Sequence, residues 1–252
     1  MFHRPPNNSA LIKILGQKSS SIHTDDLVGD FQPSLGIQST YWDNQKSGGK
    51  NLRRFNSITH NNSTPHNWEF DGTNDYLGEA ATNYGGASFQ INIANAYTVA
   101  AWWRYDSSGD NYIFGLGNYA SGGTTLKIES SDSELELIVN NTTKGLGVNL
   151  VNHKWYYLAY TYDGANNYKV YVNGSFVASL IKSGGTGTLS LNVGKANASG
   201  PGDVFTVADS RCGHVHVYTA KLGGSALRRN FLATHKMNSD RVYGRDYTSI
   251  SG

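Results

Sequence analysis

The sequence is poor in several residue types, and each shortage excludes a class of protein. Cysteine occurs once in 252 residues, at Cys212, so no disulfide can form within one copy and nothing argues for an oxidising compartment. No apolar run approaches membrane-spanning length, and the start MFHRPP lacks the basic-then-apolar order of a secretory signal. We therefore expect a protein made in a cytosol, not secreted by a signal peptide and not inserted into a membrane.

Proline, methionine and charged residues are also scarce, with 5 prolines, 2 methionines and 16% charged residues. Glycine and tyrosine are abundant instead, at 29 and 16 residues. This balance is typical of many short strands joined by glycine-rich turns, and it disfavours a helical protein. One large all-β domain accommodates a chain of this length, so the length does not demand a second domain.

Strand patterns dominate from Trp68 onward. Residues 97–105 (YTVAAWWRY) form a β-branched and aromatic run of the kind that is buried in the middle of a sandwich. Residues 134–139 (ELELIV) begin with strict alternation, which places Glu134 and Glu136 on one face of a strand. These patterns predict an antiparallel all-β core.

The second half of the chain predicts a three-strand meander followed by a helix. Residues 154–162 and 168–172 are joined by the turn sequence DGANN, and an Asn-Gly turn leads into residues 175–180. The stretch from residue 225 to about 236 predicts a short C-terminal helix with Ser225 as its N-cap.

The charges are unevenly distributed along the chain. Residues 1–65 carry a net charge of +3, residues 66–220 carry −5, and residues 221–252 carry +4. Two interpretations stay open: basic ends that dock on a partner of opposite charge, or ordinary solvated surface. Under the first, the candidate partner-binding residues are Arg4, Lys13, Lys46, Lys50, Arg53, Arg54, Arg241 and Arg245.

The first 65 residues predict an irregular arm. They are polar, rich in Asn, Ser and His, and broken by Pro and Gly, with one apolar run at residues 10–15. Such an arm either folds onto its own domain or docks into a neighbour, and its small apolar surface favours docking. We predict three parts: residues 1–65 as arm and lead-in, residues 66–236 as a β-sandwich, and residues 237–252 as a tail.

Five motifs occur in an order and spacing that resemble a known family. They are FDGTNDYL at 70–77, YTVAAW at 97–102, WYYLAYTYDG at 155–164, YVNG at 171–174 and GHVHVY at 213–218. Over about residues 66–236 the chain resembles the laminin-G-like, concanavalin-A-like lectin/glucanase domains. This resemblance implies a jelly-roll sandwich of two antiparallel sheets packed face to face.

A narrower resemblance concerns the flanks of these motifs. The chain is similar to laminin-G-like proteins of tailed bacteriophage virions, in which a segment like residues 42–51 (WDNQKSGGKN) precedes the first motif. It implies a virion structural protein, a head decoration or a tail or fibre component, whose arms dock on other virion proteins and on copies of itself. The alternative is a carbohydrate-binding adhesion or receptor-recognition module that binds a host-surface glycan, because this sandwich hosts several functions.

Glutamates are too few for the hydrolytic pattern that this scaffold uses. Retaining glycoside hydrolysis needs two carboxyls about 5 Å apart. Glu134 and Glu136 share a strand face, but Leu135 stands where an Asp is expected. We interpret the pair as a solvated strand face and expect that the protein is not an enzyme.

Two residue sets are weak candidates for metal binding. Cys212, His214 and His216 alternate along one predicted strand, but ligands spread along a single strand surround an ion poorly. Asp71, Asp75 and Asp209 are possible calcium ligands, yet the first two are also natural turn residues. We expect no cofactor, with calcium as the open exception.

Tyr112 and Tyr119 are the candidate carbohydrate-binding residues. They lie in the glycine-rich stretch 110–123, and exposed aromatic rings on loops stack against sugar faces. Nucleic acid is not an expected partner, because the acidic body of the chain repels phosphates.

Overall fold

The computed structural model describes residues 21–63, 65–78, 89–106, 109–197, 204–206 and 209–237. Of the predicted docking residues, Arg4, Lys13, Arg241 and Arg245 lie outside these ranges. No helix in the described ranges is long and apolar enough to cross a membrane.

The described chain folds into 19 strands and one helix. The strands are β1 (Leu27–Phe31), β2 (Tyr41–Trp42), β3 (Leu52–Phe55), β4 (Thr59–Asn61), β5 (Asn67–Phe70), β6 (Tyr76–Gly78), β7 (Gln90–Asn92), β8 (Tyr97–Tyr105), β9 (Asn111–Leu116), β10 (Thr124–Ile128), β11 (Glu134–Val139), β12 (Thr142–Asn149), β13 (Tyr156–Tyr162), β14 (Asn167–Val172), β15 (Ser175–Ile181), β16 (Thr188–Val193), β17 (Lys195–Asn197), β18 (Val204–Thr206) and β19 (Ser210–Tyr218). The helix α1 is Gly224–Met237.

Two antiparallel sheets form the sandwich, which confirms the predicted fold class. The eight-stranded sheet has the order β15-β14-β13-β8-β19-β5-β4, with β1 also paired to β19. The nine-stranded sheet has the order β12-β11-β10-β9-β16-β6-β3-β2, with β7 also paired to β16. The hairpin β17-β18 stands apart from both sheets and contacts β9.

The core lies between the two sheets, and strand alternation decides which side chains enter it. In β8, Val99, Ala101 and Trp103 point into this core. The intervening Ala100 and Trp102 point to the opposite face of the sheet, where they are buried in a second cluster. Because both faces of β8 are covered, its sequence is apolar almost throughout.

Helix α1 covers the outer face of the eight-stranded sheet. Leu227 and Phe231 pack in one cluster with Trp102 and Tyr157 of the sheet. The Trp102 indole donates a hydrogen bond of 2.7 Å to the Thr234 hydroxyl, so the contact is polar as well as apolar. The predicted helix is therefore confirmed, and its apolar stripe closes one side of the protein. The predicted N-cap is wrong, because the helix begins at Gly224 and Ser225 lies within its first turn.

Part of the stretch predicted as an irregular arm belongs to the sandwich. Within it, β1 and β4 join the eight-stranded sheet, while β2 and β3 join the nine-stranded sheet. These strands have two to five residues, too few to give a periodic pattern in the sequence. The pairing of β1 also depends on a distant strand, since Asp30 of β1 lies opposite His216 of β19.

Candidate functional site

The outer face of the nine-stranded sheet carries the polar and aromatic side chains of interest. On β10 and β11, Leu126, Leu135 and Leu137 point into the core. Lys127 and Glu136 lie directly opposite each other in the register and point to the other face. Helix α1 packs on the eight-stranded sheet, so it does not cover this face.

A stacked tyrosine pair lies on this face at β9, near the middle of the strand order. The rings of Tyr112 and Tyr119 are nearly parallel, at 9°, with centroids 6.3 Å apart. Tyr112 is buried beside Ile138 and Ala196, whereas Tyr119 is half-buried. The sequence predicted both rings as sugar-stacking candidates; the structure brings them together and leaves only Tyr119 with an accessible ring.

Lys127 lies against the same tyrosine pair, within a ring of carboxylates. Its Nζ is 5.6 Å from the Tyr112 ring centroid. It is 2.5 Å from Glu129 Oε2, 3.0 Å from Asp110 Oδ2 and 3.7 Å from Glu136 Oε2. We call Asp110, Glu129 and Glu136 together with Lys127 the acidic cluster, because three carboxylates surround one ammonium group.

The acidic cluster changes how its members titrate. Burial acts to lower the pKa of Lys127, but hydrogen bonds to Glu129 and Asp110 outweigh burial and raise it. Burial acts to raise the pKa of Asp110, but its bond to Lys127 lowers the pKa overall. Both groups are therefore charged near neutral pH and oriented by each other.

A second aromatic pair lies on the same face where β3 pairs with β6, two strands from β9. The rings of Phe55 and Tyr76 stack at 4.3 Å and 15°. The Arg53 guanidinium lies 5.1 Å from the Phe55 centroid, and Lys195 Nζ lies 4.0 Å from the Tyr76 centroid. The turn at Gly194, with φ of 77°, leads from β16 into β17 and places Lys195 there. We call these four residues the basic platform.

A surface depression adjoins the basic platform. Its volume is about 380 Å³, and Tyr41, Gly49, Lys50 and Asn51 line it. Tyr41 of β2 is the register partner of Arg53 on β3, so the two side chains lie next to each other on one face of the sheet. The sequence singled out Lys50 and Arg53, and the structure brings them to the same place.

The other predicted docking residues in the described ranges have contacts within the chain. The Arg54 guanidinium donates to the carbonyls of Gln38 and Ile58 at 2.7 and 2.9 Å and lies 4.7 Å from the Trp68 ring centroid. Lys46 is half-buried, and its backbone amide donates to Asn44 Oδ1. Arg54 thus has a structural role at the sandwich edge, on the opposite face from Arg53.

Glu134 and Glu136 share the outer face, as predicted, but they have different surroundings. Glu134 Oε1 accepts a hydrogen bond of 2.7 Å from the backbone amide of Gly147. Glu136 belongs to the acidic cluster; burial raises its pKa, although the charge of Lys127 opposes this. The interpretation as a plain solvated face therefore fits neither side chain.

The structure separates the Cys-x-His-x-His run. A bulge in β19 places Gly213 and His214 together opposite Trp102, which reverses the alternation at that point. Cys212 consequently points into the core, while His214 and His216 lie on the outer side, near Asp30. Burial lowers the pKa of His214 to about 3 and that of His216 to about 4, so both are neutral at pH 7.

The three candidate calcium ligands do not form a cluster. Asp71 Oδ1 accepts hydrogen bonds from the amides of Thr73 and Asn74, as a turn residue does. Asp75 is buried, and its Oδ2 accepts a bond from the Asp71 amide, whereas Asp209 is exposed. Among the residues with described side chains, no group of three or more His, Cys, Asp or Glu is placed to hold a metal ion.

Residues 57–224 match the concanavalin A-like lectin/glucanases superfamily. Solved structures with the same fold include the Trypanosoma rangeli sialidase in complex with sialic acid, at 17% identity and a TM-score of 0.67, covering 87% of this chain and 35% of that one. They also include the binding domain of botulinum neurotoxin DC in complex with SialylT, at 12% identity and a TM-score of 0.60. That match covers 85% of this chain and 52% of the binding domain. The same binding domain in complex with rat synaptotagmin II is 11% identical to this chain, with a TM-score of 0.60. That match covers 82% of this chain and 51% of the binding domain. No curated protein matches the sequence.

These similarities correct one expectation from the sequence. The chain spans about a third of the sialidase and about half of the neurotoxin binding domain. The expectation that the protein is not an enzyme is wrong, because its similar structures include sialidases and its superfamily includes glucanases. At these identities the likeness shows the fold alone.

The predicted resemblance to the lectin/glucanase domains is confirmed by the match and by the two-sheet sandwich. The matched residues make up about two thirds of the chain. The chain belongs to the concanavalin A-like lectin/glucanases superfamily.

Proposed function

We propose that this protein binds carbohydrate on the outer face of its nine-stranded sheet. Tyr119 provides the ring on which a sugar face stacks, and carboxylates of the acidic cluster accept hydrogen bonds from sugar hydroxyls. Aromatic stacking with a few oriented polar groups is the usual chemistry of sugar recognition.

The observation that carries the proposal is the arrangement around Tyr112. Tyr119 stacks on Tyr112, which fixes the orientation of the half-buried ring. Lys127 lies against the same ring and holds Glu129 and Asp110 by hydrogen bonds. A platform and its polar rim are therefore positioned before any ligand arrives, which lowers the entropic cost of binding.

Two of the similar structures support the proposal through their ligands. The sialidase is bound to sialic acid, and the neurotoxin binding domain is bound to SialylT. Both proteins share the sandwich fold with this chain at TM-scores of 0.60 or more.

Isothermal titration calorimetry with the sugars selected by a glycan array tests the proposal. Tyr119→Ala should weaken binding about tenfold, because it removes the stacking ring while Tyr112 stays in place. Phe176→Ala is the matched control: Phe176 is an aromatic residue, 55% exposed, on the eight-stranded sheet, and its loss should leave the affinity unchanged. We propose that no metal is required, so EDTA should not alter the affinity. Absence of any sugar binding at high protein concentration would refute the proposal.

We further propose that this module is carried on a phage virion, in contact with other virion proteins and copies of itself. The support is the charge pattern, with basic ends of +3 and +4 around an acidic body of −5, and the virion-like segment at residues 42–51. Since β1 begins at Leu27, a deletion of residues 1–20 leaves the described sandwich whole. That deletion should prevent incorporation into particles and leave sugar binding intact; particles that incorporate the truncated chain normally would contradict the docking role.

A further inference from the structure

We infer that the depression beside Arg53 is a second subsite, for a sugar residue that carries a carboxylate. The inference rests on the proposed carbohydrate binding and names a ligand class and a place for it. Arg53 lies on β3, three strands from β9, which precedes Tyr119. At a strand spacing of about 4.8 Å the two subsites are separated by roughly 14 Å across the strands.

The depression has a suitable size and lining. Its volume is about 380 Å³. Its lining includes the aromatic ring of Tyr41, the ammonium group of Lys50 and the amide of Asn51. The nearby carboxylate of Asp43 accepts hydrogen bonds from Asn51 Nδ2 at 2.8 Å and from Gln38 Nε2 at 3.1 Å. Asp43 therefore holds the amide of Asn51 in a fixed orientation at the wall of the depression.

The basic platform supplies the positive charge and an apolar surface. Arg53 lies beside the depression through its pairing with Tyr41, and Phe55 next to it is half-buried, stacked on Tyr76. Burial raises the pKa of Tyr76, and the charge of Arg53 opposes this, so the guanidinium acts near the Tyr76 hydroxyl. A guanidinium binds a carboxylate with two parallel hydrogen bonds, which an ammonium group cannot match in geometry.

The charges at the two aromatic sites assign the carboxylate to the depression. The acidic cluster has three carboxylates for one lysine and therefore repels an anionic sugar. Arg53 and the exposed Lys50 lie beside the depression, where they attract one, whereas Lys195 is fully buried against Tyr76. An acidic glycan is thus expected to place its anionic residue at the depression and not at Tyr119.

The test is calorimetry with three defined sugars: lactose, 3′-sialyllactose and a glucuronic-acid-terminated oligosaccharide. At least one carboxylate sugar should bind about tenfold more tightly than lactose, because a charge-assisted hydrogen bond is added. Preference for sialyllactose identifies a sialic acid, and preference for the glucuronide identifies a uronic acid; either supports the inference. Equal affinity for lactose and both acidic sugars overturns the inference and leaves the proposed function standing. Failure to bind any of the three overturns the inference too, and the glycan array then decides the proposed function separately.

Variants locate the subsite. Arg53→Gln should reduce the affinity for the carboxylate sugar to that for lactose, and lactose affinity should not change. Lys50 is exposed, so Lys50→Gln cannot disturb the core, and it should weaken the acidic sugar about threefold. Arg229→Gln, at an exposed position on α1, is the control that should change nothing. If Arg53→Gln and Lys50→Gln fold normally and bind the acidic sugar as before, the carboxylate lies elsewhere and the inference fails.

Discussion

The two aromatic sites on the outer face of the nine-stranded sheet have similar ring geometry and opposite electrostatics. Each has a stacked ring pair, Tyr112 with Tyr119 and Phe55 with Tyr76, and each has a lysine against a ring. At the Tyr112 site three carboxylates enclose the lysine; at the Phe55 site, Arg53 and Lys50 add positive charge. The rings provide a surface for a ligand, whereas the charges around them decide which ligand.

The two sites also differ in how much they contribute to stability and to ligand binding. Lys127 is a buried ammonium group whose hydrogen bonds to carboxylates hold β10 and the loops beside it in place. Lys50 is exposed and makes no comparable ion pair in the described part of the chain. We therefore expect changes at the acidic cluster to act mainly on stability, and changes at the depression to act mainly on affinity.

The largest expected effect is that of Lys127→Met. It leaves three carboxylates facing one another without their ammonium group, and it should lower the free energy of unfolding by about 3 kcal/mol. Urea unfolding measures this. Lys144→Met, at an exposed position on β12, is the matched control and should stay within about 0.5 kcal/mol. Equal stabilities of the two variants would show that the acidic cluster is not a structural unit.

The second prediction concerns the pH dependence of stability, which we attribute to two buried histidines of the eight-stranded sheet. The folded pKa values of His214 and His216, about 3 and about 4, lie below the ordinary 6.5. The unfolded chain therefore binds protons below pH 6.5 that the folded chain does not, so stability falls as the pH falls through this range. Burial raises the pKa of nearby Asp30, which opposes the loss at lower pH.

Between about pH 7 and pH 5 the free energy of unfolding should fall by about 2 kcal/mol for each of the two histidines. Urea unfolding at several pH values measures the slope. The double variant His214→Gln, His216→Gln should lose that slope, whatever its stability at pH 7. The control His153→Gln removes a ring with a side chain that is 63% exposed, and it should keep the slope. An unchanged slope in the double variant would assign the pH dependence to other groups.

The smallest expected effect concerns salt. Raising the ionic strength from about 0.05 M to about 0.5 M should weaken binding of a carboxylate sugar about threefold, because the exposed charge of Lys50 is screened. Binding of lactose should not respond, since no net charge is brought together. Calorimetry of both sugars in the two buffers gives the comparison. A salt effect of the same size on lactose would indicate that the two aromatic sites do not differ in charge in the way described.

Local patterns in the sequence predicted much of the fold. The run YTVAAWWRY, the DGANN turn and the residues from Ser225 predicted β8, the β13-β14 hairpin and α1, because each is determined by residues close in the chain. Strand β1 was missed because its partner β19 lies far away in sequence, and β2 to β4 were missed because each has only two to four residues. The bulge at Gly213 was missed for a related reason: one extra residue reverses the alternation and leaves no clear sign in the sequence.

The candidate site was predicted only in part. Tyr112 and Tyr119 are seven positions apart in a glycine-rich stretch, which was enough to single them out. Lys127, Phe55, Tyr76 and Lys195 were missed, because each is an ordinary strand residue until the sheet places it beside its partners. Arg53 and Arg54 looked equivalent as neighbours, yet alternation sends one to the depression and the other to the Trp68 ring.

A crystal structure of the protein with 3′-sialyllactose is the sharpest test of carbohydrate binding on the nine-stranded sheet, since it shows where the sugar lies. We predict density on the outer face of the nine-stranded sheet, with the carboxylate within hydrogen-bond distance of the Arg53 guanidinium. Sugar bound on the eight-stranded sheet, or at the loops away from both aromatic pairs, would contradict it.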